Sequence, residues 1–112
     1  MAAKLKPIKT QNEYNLLTSP DTLGDRVGVV VFYSAANAGA WKAQLTDLND
    51  LAGDFFEEAS FIGVDVRFFP AILAQFAGAA EGKAAVFKKG AADATVVDSA
   101  IETLRAAVKA KK

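Results

Sequence analysis

The chain has 112 residues, 52% hydrophobic and 23% charged, the size and balance of one ordinary globular domain with a core to bury. Thirteen Lys and Arg offset thirteen Asp and Glu, so there is no whole-protein field to hold nucleic acid or an anionic membrane. Cys and His are both absent, which removes disulfides, thiol nucleophiles and the commonest catalytic base and metal ligand at once.

Lysines gather at both ends (Lys4, Lys6, Lys9, then Lys109, Lys111, Lys112), as charged, solvated termini do. No apolar run reaches the roughly 20 residues needed to span a bilayer. Met1 to Lys9 leads into no apolar segment of the kind a secretory signal carries, so a soluble, cytoplasmic monomer is expected.

In chain order, an additional strand is placed near Leu5 to Ile8. Thr10 and Glu13 have capping-box spacing and open a helix to about Leu17, which Ser19-Pro20-Asp21 then ends. Val27 to Tyr33 (VGVVVFY) is a continuous β-branched and aromatic run, the pattern of a strand covered on both faces. A helix from about Ala40 to Phe56 carries Trp41, Leu45, Leu48, Ala52 and Phe55 on one stripe. Phe61 to Val66 reads as a second buried strand, and Pro70 suits the first turn of a helix running to about Phe76.

Ala84 to Phe87 and Ala94 to Val97 read as two strands joined across Lys88-Lys89-Gly90. Ser99 with Glu102 has capping-box spacing for a last helix, with Ile101, Leu104 and Val108 on one face and Arg105 and Lys109 near its end. The order α-β-α-β-α-β-β-α predicts an α/β domain over residues 1–112, a mixed sheet between helices.

That order and a set of strings resemble thioredoxin: VVFYSA entering a loop and helix, VDV, PAILAQF, VFKKG and IETLRAAV, without gaps from about Val31 to Val108. The resemblance implies the thioredoxin fold. It also places the family's functional positions. The Cys-x-x-Cys motif falls on Ala38-Gly39-Ala40-Trp41, so the nucleophilic and the resolving thiol are both missing. The preceding Trp falls on Asn37, the aromatic before it on Ser34, and the buried Asp on Phe32. The cis-Pro falls on Gly82, the Gly after the last strand on Asp98, and the helix-bending Pro on Thr46. The resemblance therefore excludes thiol–disulfide exchange. In the family fold these loops, with the one at Arg67, converge on one face, which we read as deliberately rebuilt in an engineered protein.

Each replaced residue has a plain structural reading beside a functional one. Phe32 fills a core site where a carboxylate would be costly. Trp41 either completes the helix stripe or anchors a ligand or interface. Glu81, Gly82 and Lys83 form either a solvated turn or a pocket edge, since FAGAAEGKAA is poor in bulk. Asp98 competes with Ser99 as the last helix cap. Arg67 is expected at the surface, with at least one of Phe68 and Phe69 in the core.

Three functions fit these residues. In a binding module for a small molecule or protein, Trp41 is the anchor, and Asn37, Arg67, Glu81, Gly82, Lys83 and Asp98 surround it. Ala38, Ala40, Ala79 and Ala80 then leave room. In a designed catalyst, a desolvated Lys83 forms a Schiff base, or Glu81 or Asp98 abstracts a proton. In an inert scaffold no ligand is held. A natural redox-dead interaction domain is a fourth possibility. No cofactor, metal or nucleic acid is expected, because Gly78, Gly82 and Gly90 lack phosphate-loop spacing and there is neither a carboxylate cluster nor a basic stripe.

Overall fold

Burial on both faces of the Val27 run organises the molecule. A computed structural model describes residues 5–19, 24, 26–34, 38–55, 58–76, 78–88 and 94–111. The side chains of Ala38, Ala40 and Trp41 lie outside that description.

Strand β1 is Lys6–Pro7 and helix α1 is Gln11–Leu17. Strand β2 is Val27–Tyr33, helix α2 is Ala38–Asp54 and strand β3 is Ala59–Asp65. Helix α3 is Pro70–Leu73, strands β4 and β5 are Lys83–Phe87 and Thr95–Asp98, and helix α4 is Ile101–Lys111. The five strands make one sheet in the order β1-β3-β2-β4-β5. β1, β3 and β2 are parallel, β4 is antiparallel to β2, and β5 is antiparallel to β4.

One face of the sheet presents Val29, Val31, Phe61, Ala84 and Val86 to Leu48, Leu51 and Ala52 of α2 and to Leu104 and Val108 of α4. The other presents Val30, Phe32, Ile62, Val64, Ala85 and Phe87 to Tyr14, Ile72 and Phe76. Phe32, only 1% exposed, lies 5.9 Å from Phe76, which stacks in turn on Phe87 at 6.2 Å. These are favourable ring separations for an aromatic cluster.

Several boundaries move for identifiable reasons. β3 starts at Ala59 because Val27 pairs with Ala59, and the Val27 amide also bonds Glu58 O (2.8 Å). α2 starts at Ala38, two residues earlier than its stripe suggests. α3 is a single turn from Pro70 to Leu73, followed by turns to Phe76. At α1, Thr10 accepts from the Glu13 amide as expected, but the Glu13 carboxylate takes the amide of Lys9 (2.8 Å).

The last helix corrects the capping expectation. Its first bond runs from the Leu104 amide to Ala100 O, so Ala100 holds the cap position. The Ser99 hydroxyl accepts from Gln44 Nε2 (2.6 Å) instead, tying the chain just before α4 to α2. Gly63 answers a close approach: a Cβ there would lie 2.7 Å from Leu5 Cδ2 and 3.2 Å from the Tyr33 ring.

Candidate functional site

The carboxyl ends of the parallel strands define one end of the sheet, where α/β folds place their loops for binding. β2 ends there at Tyr33 and β3 at Asp65. β4, running the other way, begins there at Lys83, opposite Asp98 at the end of β5. The first turn of α2, Ala38 to Trp41, opens the next described element after β2.

The turn before β4 is set by glycine. Lys83 N bonds Ala80 O (3.0 Å), enclosing Glu81 and Gly82, and Gly82 has φ of 85°. A positive φ at the second central residue, with none at the first, is a type II turn, and only glycine takes that position without strain. Nothing lies within 4 Å of where a Gly82 Cβ would sit, so conformation rather than space selects glycine. The Gly82 amide bonds Phe32 O, and its carbonyl accepts from Ser99 N, each at 3.0 Å.

Lys83 and Asp98, candidates from separate parts of the sequence, are cross-strand neighbours whose side chains form an ion pair. This corrects two expectations. Asp98 is the last residue of β5 and engages Lys83, so it does not cap the helix. Lys83 is not the desolvated lysine a Schiff base needs, since its side chain is 42% exposed and paired with Asp98. Glu81 is exposed on the same turn.

Arg67 is exposed as expected, yet it is held. Its backbone amide and Nε bond Asp65 Oδ1 (3.0 and 3.2 Å) and its Nη2 bonds Asp65 Oδ2 (3.1 Å). Hydrogen bonding to Asp65 raises the Arg67 pKa, with Coulombic attraction to Asp65 and Tyr33 acting in the same direction against desolvation. Burial raises the Tyr33 phenol, the Asp65 charge adds to that, and Arg67 opposes it. Phe69 packs against the second core layer, whereas Phe68 is 67% exposed with the Arg67 guanidinium 4.9 Å from its ring centre. Arg67 and Lys83 are kept apart by β2, which lies between β3 and β4.

Ala79 is half-buried against the second core layer, and Ala80 is exposed. Asn37 and the side chains of Ala38, Ala40 and Trp41 lie outside the described residues. Among the described residues, a groove of about 330 Å³ runs between α2 and α4, lined by Asp47, Asp50, Leu51, Ile101, Glu102 and Arg105. None of the residues singled out from the sequence as site candidates lines it. No group of three His, Cys, Asp or Glu among the described residues could hold a metal ion. No described helix is long and apolar enough to cross a membrane.

Asp65 was missed as a candidate. Its signal was present: a carboxylate closing a buried strand, two residues before an arginine.

No family model matches the chain, and no curated protein does. Solved structures do. The germline-specific thioredoxin Deadhead of Drosophila melanogaster is similar at a TM-score of 0.77 and 16% identity, over 98% of each chain. Chloroplastic thioredoxin z is similar at 0.68 and 14%, over 98% of this chain and 96% of its own. A protein described only as designed is similar at 0.74 and 18%, over 96% of each. At these identities the likeness is one of fold. The chain has the thioredoxin fold, a mixed five-stranded sheet flanked by helices. It is a cysteine-free form of that fold.

Proposed function

We propose that this chain is an engineered, redox-inactive thioredoxin-fold protein whose rebuilt loop face serves as a binding module for a small molecule or a protein surface. The observation that carries the reading is the gathering of replaced positions at one end of the sheet. The first turn of α2, the Glu81–Gly82 turn and the Lys83–Asp98 pair all fall there. A designed protein of matching fold and extent supports an engineered origin. With no cysteine, the chain has no thiol of its own to exchange.

Trp41, the only Trp in the chain, is the anchor in this reading. Its fluorescence is the test. Red-shifted emission that acrylamide quenches, with saturable change on titration and loss of binding in a folded Trp41→Ala variant, supports the module. Blue-shifted emission that resists quenching, with Trp41→Ala unfolding the chain, rejects it.

A second reading, an inert scaffold, has its own support in the charges that already satisfy one another: Lys83 with Asp98 and Arg67 with Asp65. It predicts no response to any ligand. A designed catalyst would rely on Glu81 as base, because Lys83 is engaged by Asp98. An unchanged rate in Glu81→Gln would exclude that route.

A further inference from the structure

We propose that the outer edge of β5 is a self-association surface, at which a second copy of this chain adds its own β5 in antiparallel orientation. The inference starts from which way the backbone groups point. Gly82 O accepts from Ser99 N, so the Ser99 amide faces β4 and the Asp98 carbonyl, on the other side of the same peptide, faces away. In an antiparallel ladder the direction alternates residue by residue. Thr95 and Val97 therefore bond inward to Val86 and Ala84, while Val96 and Asp98 direct N–H and C=O outward. The Ala94 carbonyl points outward with them. No described residue pairs with that edge, since β5 is the last strand of the sheet.

The two edges of the sheet differ. β1 consists of Lys6 and Pro7, a charged side chain and a residue without an amide donor, both of which blunt an edge. β5 reads Thr-Val-Val-Asp, with high strand propensity and no Lys, Pro or Gly. Its one charge, Asp98, is offset by the chain's own Lys83.

Charge selects the register and the occupant. A two-fold axis at Val96 places Val96 against Val96 of the second copy and Thr95 against Val97, pairs of β-branched residues that stabilise sheets. Asp98 then faces Ala94 of the second copy, and the two Asp98 carboxylates lie at opposite ends of the ladder. A register centred on Asp98 would set like charges directly opposite and is disfavoured. The Val96 register forms four main-chain hydrogen bonds, two between the Val96 residues and two from Asp98 amides to Ala94 carbonyls. So short a strand makes a small interface, and the dimer is a weak one, populated only in concentrated solution.

Sedimentation velocity from about 10 μM to about 1 mM, the range in which weak small interfaces assemble, tests this. The expected result is a mass rising toward twice the monomer. Val96→Pro removes the outward amide, and with it two of the four bonds, without touching the inward ladder, so it should remain monomeric with unchanged circular dichroism. Val96→Lys, which opposes two cations at the axis, should do the same and decides the matter if the proline variant does not fold. A wild-type chain that stays monomeric throughout, or a dimer that survives Val96→Lys, overturns the proposal.

Discussion

The amide of Gly82 donates to the carbonyl of Phe32 at 3.0 Å, stitching the turn before β4 to the end of β2. In the thioredoxin resemblance this position belongs to a cis-proline. Here it needs what proline lacks, a backbone donor and a φ of 85°.

Restoring proline should therefore harm the fold. Gly82→Ala is expected to cost about 1–2 kcal/mol, from the left-handed backbone alone. Gly82→Pro should cost more, because it also forfeits the bond to Phe32 and cannot reach a positive φ. Urea denaturation of the three chains checks the order. A proline variant as stable as the parent would show that the turn adopts another conformation.

Phe32→Asp tests the reading of that site as core. The ring is buried against Phe76 in a layer of hydrophobic side chains. An unpaired carboxylate there should lose about 3 kcal/mol or more at neutral pH. Burial would raise the pKa of the new carboxyl above its unfolded value, so the deficit should shrink as pH falls and the group is neutralised. A deficit independent of pH would mean that water or a cation reaches the site.

Tyr14 predicts an alkaline limit to stability. Burial pushes its phenol up to about 12 from the ordinary 10. The folded state thus favours the neutral phenol. The stabilisation is fully present below pH 10, where the unfolded chain also keeps its proton, and is lost as pH rises from 10 through 12. For a shift of this size the loss is at most about 3 kcal/mol. Tyr14→Phe should flatten the stability curve across that window relative to wild type. Parallel curves for the two proteins would contradict it.

Legibility followed the distance between interacting residues. The Val27–Tyr33 strand was plain because its seven residues carry the pattern by themselves, and Thr10 was plain because its partner is three residues away. β1 left almost no sequence pattern, since its two residues derive their strand character from β3, with Lys6 paired to Ile62. Asp98 was misread because an aspartate before a helix suits a cap as well as a strand end. The residue that decides between them, Lys83, is fifteen positions away. Ser99 was misread for the same reason, with Gln44 fifty-five positions distant. Asp65 and Arg67 are two residues apart, and their contact was overlooked although it was locally readable.

By itself the sequence determined the element order, the burial of both sheet faces and the absence of thiol chemistry. Hydrophobic periodicity, turn residues and composition are properties of short stretches of chain. The tertiary structure decided which charges meet, which glycine must take a positive φ, and which edge of the sheet is left without lysine or proline. Those depend on strand order and register, which bring together backbone and side-chain groups far apart along the chain, and no local pattern encodes that pairing.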